Sequence, residues 1–149
     1  MSIMIAQIKT CSENKERVQR LTRKFGLGAE NVIARIAIAY SLKSGQRFSP
    51  TEVKDAGGKE YSRSVLFGNL YPLYLAMICT HYGIKSTDKD LARYFKMHLD
   101  NGLELTQNDV AWMQLLYDFR INSDTEKNAI VSSVYTHACN NFHSFANNN

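Results

Sequence analysis

The chain has 149 residues, the length of one ordinary globular domain. Its content of 44% hydrophobic and 21% charged residues excludes a disordered or collagen-like protein. Three cysteines without a Cys-x-x-Cys pair argue against a disulfide framework or a zinc finger. The start of the chain lacks the pattern of a signal peptide, and the longest apolar-rich run, 70–79, is too short to cross a membrane. We therefore expect a single domain over residues 1–149, located in the cytoplasm.

The positive charge is concentrated in the first third of the chain. The net charge is +4, but residues 1–48 carry nine lysines and arginines against three glutamates. Such an asymmetry is typical of proteins that bind a polyanion such as DNA. We predict that DNA is contacted by these nine residues, which are Lys9, Lys15, Arg17, Arg20, Arg23, Lys24, Arg35, Lys43 and Arg47.

The chain should begin with a short strand and a helix. Loose alternation of apolar residues over 3–10 predicts the strand. Ser12 is a favourable N-cap, and apolar residues follow it at helical spacing as far as Phe25. The first helix should therefore end at Gly26.

A second helix, over 29–42, is apolar nearly all round. A helix of this kind is either central in its domain or shared with another subunit. Because a small monomer should bury only one of its faces, we expect the opposite face to form a subunit contact. That contact would be made by Ala34, Ile38 and Leu42.

A long loop over 43–60 and further helices complete the chain. A third helix follows Asn69, ends at Gly83 and should form the centre of the core, with Tyr74, Met77 and Ile78 buried. A fourth helix should run from Thr87 to Gly102, a fifth should begin at Thr106 and a sixth near Thr125. The predicted fold is all-α, a compact domain of about five to six helices with an optional N-terminal strand.

The exposed face of the first helix has two interpretations. Arg20, Arg23 and Lys24 should point away from its apolar stripe, where they could contact DNA phosphates. These residues could equally be ordinary surface charges. Glu13 and Glu16 lie four residues before Arg17 and Arg20 and can form ion pairs with them. Cations also suit the last turn of any helix.

The sequence has no motif for catalysis, metal binding or a cofactor. The four histidines form no His-x-x-x-His pair, Gly57-Gly58-Lys59 lacks the rest of a phosphate-binding loop, and no Gly-x-Ser-x-Gly elbow occurs. His98 falls on an apolar stripe and should be a core histidine with one hydrogen bond. We expect no catalytic residue, no metal and no cofactor.

The order strand, helix, glycine turn, helix over residues 9–42 resembles the ribbon-helix-helix family. In that family two strands pair across a dimer and enter the major groove. This resemblance implies a dimeric repressor with strong preference for one operator.

Three separated segments resemble the DndE family of DNA sulfur modification proteins. They are LTRKFGLGAENVIARIAIAYSL (21–42), GKEYSRSVLFGNLYPLYLAMI (58–78) and FKMHLDNGL (95–103). The matching parts are a basic-glycine turn before Asn-Val-Ile-x-Arg, a Phe-Gly before a Tyr/Leu-rich helix, and a His-Leu-x-x-Gly-Leu helix end. One position departs from the family, because Asn101 stands where a basic residue is expected.

This second resemblance divides the chain into a DndE-like core, 1–105, and a C-terminal helical extension, 106–149. It implies an accessory protein of bacterial phosphorothioate modification, in which sulfur replaces a non-bridging phosphate oxygen. It also implies a homo-tetramer that binds nicked or duplex DNA through surface lysines. The implied partners are sulfurtransferase-like and ATPase-like proteins of the same system.

The leading hypothesis is a non-catalytic DNA-binding component of DNA sulfur modification, largely without sequence specificity. A ribbon-helix-helix repressor is the second hypothesis. A DNA nickase is the third, and it predicts metal-dependent cleavage that one carboxylate or histidine change abolishes. A protein-interaction scaffold is the fourth, and it predicts no affinity for DNA at physiological salt.

Overall fold

The structure, a computed structural model, describes residues 5–108. In this part of the chain, five α-helices accompany a two-stranded sheet, and single 3₁₀ turns lie at Pro50–Glu52 and Gly68–Leu70. The elements are β1 (Gln7–Lys9), α1 (Ser12–Phe25), α2 (Glu30–Lys43), β2 (Glu60–Ser62), α3 (Arg63–Leu66), α4 (Tyr71–Tyr82) and α5 (Leu91–Asn108). The predicted mostly helical fold with a short N-terminal strand is confirmed. The helix predicted near Thr125 and nearly all of the C-terminal extension lie outside the described residues.

The two strands belong to the same chain and run antiparallel, with Ile8 opposite Tyr61. The order strand, helix, turn, helix is present at the N-terminus, as expected. The pairing differs from that of the ribbon-helix-helix family, however, because β1 pairs with β2 and not with a second subunit. With only three residues, β2 is too short to show a clear alternation, which is why the sequence did not predict it.

The helix α2 lies at the centre of the domain, along α5. The two backbones are close at Gly102, where an added Cβ would lie 1.8 Å from the carbonyl oxygen of Ala37. Gly102 lies inside the continuous helix α5, so the predicted helix end at this position is wrong. A glycine that ends a helix usually does so through a positive φ, and Gly102 is not among the glycines with positive φ. Here its missing side chain allows two helices to pack closely.

Both faces of α2 are buried within the protomer. Ala34 and Ile38 have no exposed surface, and Leu42 is 1% exposed. The helices α1, α4 and α5 pack around α2, so no second subunit is needed to cover it. The predicted subunit contact through these three residues is therefore wrong, and any oligomer must use another surface.

Aromatic side chains connect α4 to α5 in the core. The ring of Phe67 lies 5.1 Å from the ring of Tyr74 and 5.0 Å from the ring of Phe95, measured between centroids. Tyr74, Met77 and Ile78 are fully buried, as predicted, but the centre of the core is α2 and not α4. No helix within residues 5–108 has the length and apolar character that a membrane span requires.

Carboxylates from distant parts of the chain cap the start of α1. The predicted N-cap, Ser12, is the first helical residue, and Cys11 at the N-cap position makes no side-chain cap. Instead Asp55 Oδ1 accepts the Ser12 N–H at 2.9 Å, and Asp100 Oδ1 accepts the Cys11 N–H at 2.9 Å. Hydrogen bonds from the Ser12 hydroxyl and from nearby backbone N–H groups lower the pKa of Asp55 to about 2. Tertiary contacts thus satisfy backbone groups that the local sequence leaves open.

Candidate nucleic-acid interface

The second half of α1 presents three exposed basic side chains, Arg20, Arg23 and Lys24. The opposite face of the helix is buried through Val18 and Leu21. No acidic residue occurs between Arg20 and the end of the helix. We call these three residues the α1 basic patch. Its position on a helix with a well-packed inner face gives it a fixed place on the surface.

The α1 basic patch also lies where cations favour any helix. Gly26 ends α1 with a left-handed φ of 60°, and the glutamates Glu13 and Glu16 lie in the first half of the helix. The ammonium group of Lys24 is 5.8 Å from the centroid of the Phe25 ring. This arrangement complements the helix dipole and would also attract a phosphate. Geometry alone therefore permits both interpretations of the face.

The structure does not gather the nine predicted DNA-binding residues on one surface. Some of them contact other elements of the fold: Lys9 pairs with Glu60 at 3.0 Å, Arg35 donates to the Leu66 carbonyl at 3.0 Å, and Arg47 donates to the His81 carbonyl at 3.1 Å. Arg35 is only partly exposed and connects α2 to the end of α3. Its observed role is to hold these two helices together.

The remaining predicted residues are also spread out. Lys43 is exposed at the end of α2, and the 14 residues of that helix span about 20 Å. Lys15 is exposed near the start of α1, and the partly exposed Arg17 donates to the side chain of Asn14. Arg20, Arg23 and Lys24 are exposed within one stretch of five residues, and Arg20 and Arg23 share a surface groove with Arg17, Glu13 and Glu16.

A chain of hydrogen bonds passes through His98 of α5. On one side Ser41 Oγ lies 2.7 Å from His98 Nδ1 and donates to Asn101 Oδ1 at 2.8 Å. On the other side the Tyr82 hydroxyl lies 2.6 Å from His98 Nε2. Because Ser41 gives its one proton to Asn101, it accepts from Nδ1, and Nε2 accepts from Tyr82. His98 therefore carries its proton on Nδ1.

This network anchors the loop that follows α2. The backbone N–H of Phe48 donates to the Tyr82 hydroxyl at 3.2 Å, and the Phe48 ring packs edge-on against His98 with 5.1 Å between centroids. A serine next to a histidine can form a nucleophile and base. Here neither Ser41 nor His98 has any exposed surface, so a substrate cannot reach them. The pair is a structural element of the core.

His98 is neutral in the folded protein. Burial and, to a smaller extent, the charge of nearby His81 lower the pKa of His98 from 6.5 to about 3. In the unfolded chain the pKa should be near 6.5. Between these values only the unfolded state binds the proton, so acid favours unfolding.

We expect this histidine to make the protein less stable in mild acid. Its contribution is fully present above a pH of about 6.5 and should fall by about 1.4 kcal/mol for each pH unit between about 6 and 4. Urea unfolding at several pH values would measure this slope. The His98→Gln variant, which cannot titrate, should have a slope smaller by that amount. If the stability of the wild-type protein and of the His98→Gln variant changed equally with pH, the low pKa of His98 would be contradicted.

A buried ion pair joins α5 to the N-terminal elements. Lys96 Nζ lies 3.0 Å from Asp100 Oδ2 and donates to the carbonyl oxygens of Lys9 and Asp55 at 2.9 and 2.7 Å. The Asn14 amide donates to Asp100 at 2.7 Å. The sequence does not predict this centre. Its only signal was the i, i+4 spacing of lysine and aspartate, which usually marks a surface pair.

Within residues 5–108, no group of three or more His, Cys, Asp or Glu side chains is arranged to hold a metal ion. Burial raises the pKa of the Cys11 and Cys79 thiols, so both are protonated at neutral pH. Neither thiol is therefore activated as a nucleophile.

Comparison with known proteins assigns the chain to a family. The model of the family described as DNA sulphur modification protein DndE matches residues 7–113. The chain belongs to the DndE family. None of the curated proteins matches the chain. Membership in the DndE family ties the protein to DNA sulfur modification, the phosphorothioation of DNA.

The segments that resemble DndE meet inside the fold. Phe67, from the second segment, contacts Phe95 at the start of the third, and Gly102 of the third lies against Ala37 of the first. Most of what carries the DndE resemblance is therefore packing between α2, α4 and α5. Residues that contact other molecules must be sought on the surface around this core.

Proposed function

We propose that this DndE-family protein is a non-catalytic DNA-binding component of DNA sulfur modification. The observation that carries the proposal is the α1 basic patch, in which three exposed cations lie within five residues. Their long side chains can each reach a phosphate oxygen, and together they provide a compact positive surface. Family membership supports DNA as the polyanion.

Binding of this kind should depend little on base sequence. Phosphate contacts position a protein on DNA but carry no direct information about the bases. The strand β1 pairs within the chain, so the structure offers no support for a two-stranded ribbon in the major groove. We therefore propose binding to duplex or nicked DNA largely without sequence specificity.

Further subunits and partners complete the proposal. The family resemblance favours a homo-oligomer, a tetramer, working with sulfurtransferase-like and ATPase-like proteins of the modification system. An assembly with several copies of the α1 basic patch would bind one DNA molecule more tightly than a single copy does. Since α2 is covered within the protomer, the subunits must meet through a surface other than Ala34, Ile38 and Leu42.

The combined change Arg20→Ala, Arg23→Ala and Lys24→Ala should weaken DNA binding by similar factors for unrelated sequences. Each lost phosphate contact should reduce the slope of log K against log salt by about 0.9. The fold should persist, because all three side chains are exposed. Fluorescence anisotropy of labelled duplexes at several salt concentrations, together with thermal melting, would measure both quantities.

A matched control removes the same charge elsewhere. Lys85, Lys89 and Arg93 are exposed, and they lie in or next to the connection between α4 and α5. Their combined replacement by alanine should alter affinity much less if the α1 basic patch is the contact surface. If the slope of log K against log salt changed equally in both triple variants, DNA affinity would depend on net charge alone and not on the α1 basic patch. Lower thermal stability with unchanged affinity in the first variant would favour the helix-dipole interpretation.

A further inference from the structure

A groove of about 400 Å³ lies between the start of α2 and β2. The α2 wall carries Glu30 and Asn31, and the opposite wall carries β2 and the residue before it, Lys59. Val65, at the end of the groove, is 55% exposed and is the only large hydrophobic side chain exposed within residues 5–108. We call this feature the α2–β2 groove. It contains none of the residues of the α1 basic patch.

Three buried polar atoms beside the α2–β2 groove lack a hydrogen-bond partner: Tyr61 Oη, Glu30 Oε2 and Asn31 Oδ1. They are the only buried side-chain atoms of this kind within the described part of the chain. Tyr61 is 2% exposed, yet it lines the groove. Buried polar groups without partners are rare in folded proteins, and three at one place indicate a site for another molecule.

The neighbouring groups do not satisfy these atoms. Lys59 Nζ is 3.3 Å from Glu30 Oε2, which is an ion-pair distance, but its direction is not that of a hydrogen bond. The Asn31 Nδ2 group donates to the Val65 carbonyl at 2.9 Å, which fixes the amide and leaves Oδ1 as the unused end. Burial and the Glu30 charge raise the pKa of Tyr61, so its hydroxyl keeps its proton.

The strand β2 has an open edge beside these atoms. In an antiparallel pair, every second residue of a strand bonds to its partner. The bond from Arg63 N–H to Ala6 O, at 3.2 Å, places Arg63 and therefore Tyr61 among the residues bonded to β1. Glu60 and Ser62 thus direct their N–H groups outward. No strand of the described residues pairs with that edge.

We propose that the α2–β2 groove binds an extended basic segment of a partner protein. The segment would add to the open edge of β2 and place a lysine or arginine side chain against Glu30, Asn31 and Tyr61. Carboxylate and amide oxygens only accept hydrogen bonds, so the missing group must be a donor, and ammonium and guanidinium groups are donors only. In an extended segment, a side chain farther along the strand would cover Val65.

The charge of the groove favours this occupant over DNA. Its lining has two carboxylates, Glu30 and Glu60, against one ammonium group, Lys59. The carboxylates pair with Lys59 and Lys9, and the lining keeps a net negative charge that repels a phosphate and attracts a basic side chain. Of the three unpartnered atoms, Glu30 Oε2 and Asn31 Oδ1 have nothing to offer a phosphate oxygen, because they only accept hydrogen bonds. This inference does not depend on the proposed role of the α1 basic patch, and its test uses no DNA-binding readout.

The test is an NMR titration of the full-length, ¹⁵N-labelled protein with short capped peptides. The first peptide is Thr-Val-Arg-Val-Thr. The second has glutamate in place of the arginine, and the third is the arginine peptide with methyl groups on alternate backbone nitrogens. We expect the arginine peptide to shift the Glu60 and Ser62 amides and the Asn31 side-chain amide. The glutamate peptide should not shift them, and N-methylation should abolish binding because it blocks pairing with β2.

Two conservative variants and a control locate the contact. Glu30→Gln should lower the affinity for the arginine peptide by about tenfold, which is the effect of losing one charge-assisted hydrogen bond. Tyr61→Phe should weaken it by a smaller factor while keeping the buried ring. Glu13→Gln removes a carboxylate on the exposed face of α1 and should leave peptide binding unchanged. Thermal melting of each variant checks that the fold is intact.

Several results would overturn the inference. These are no shift with the arginine peptide at millimolar concentration, equal shifts with both charged peptides, or shifts of the same amides by a short DNA duplex. Self-association that Glu30→Gln weakens would assign the groove to a second copy of the chain, and would also overturn it. Loss of DNA binding in the α1 basic patch variant would leave the inference intact.

Discussion

Replacing Gly102 with alanine should strongly destabilise the folded protein. The new Cβ would lie 1.8 Å from the carbonyl oxygen and 2.8 Å from the Cα of Ala37, and these are backbone atoms that cannot rotate away. Relief requires α2 and α5 to separate along their shared core. We expect a loss of more than about 4 kcal/mol, a large part of the stability of a typical domain. Circular dichroism during urea unfolding would measure it.

The control for this prediction is Gly45→Ala. An added Cβ at Gly45 meets no atom within 4 Å, but the residue has a left-handed φ of 79°. Its replacement should cost about 1–2 kcal/mol through backbone strain alone. If Gly102→Ala were no more harmful than Gly45→Ala, the close approach of α2 and α5 would be refuted.

Replacing Lys96 with methionine should destabilise the protein by about 3–5 kcal/mol, because it leaves a buried charge uncompensated. Asp100 is 3% exposed and would lose its counter-charge. The carbonyl oxygens of Lys9 and Asp55 would lose their shared donor at the same time. Methionine has a similar length and keeps the apolar contacts of the lysine stem. Equilibrium unfolding in urea at neutral pH would give the change in free energy.

Two comparisons separate buried charge from other causes. Lys54 pairs with Glu104 on the surface, and Lys54→Met should cost only about 0–1 kcal/mol. Adding Asp100→Asn to Lys96→Met should restore part of the loss, because the unpaired charge is then removed. Equal costs for the two lysine variants, or a fully additive double variant, would show that the Lys96–Asp100 pair is not a buried ionic centre.

The sequence alone determined the features that depend on neighbouring residues. Apolar residues at helical spacing located α1, α2 and α4 to within a few residues, and Gly26 and Gly83 end their helices in the left-handed conformation that glycine favours. The clustering of Arg20, Arg23 and Lys24 on the exposed face of α1 likewise follows from helical periodicity. The segments resembling DndE predict the family from the sequence alone.

Only the tertiary structure decided which side chains meet. Gly102 has the local signal of a helix end, and only the passage of α2 against it shows why α5 continues there. The burial of α2 on both faces depends on α1, α4 and α5, of which the last two follow Ile38 by more than thirty residues.

The same holds for charge and hydrogen bonding. Asp55 and Asp100 cap α1 from 43 and 89 residues away, and Tyr61 and Asn31 form one groove from separate elements. The spacing of apolar residues indicates which face of each segment lies in the core and which lies in solvent. It contains no information on the partner across the core, because that partner is set by the packing of the whole chain.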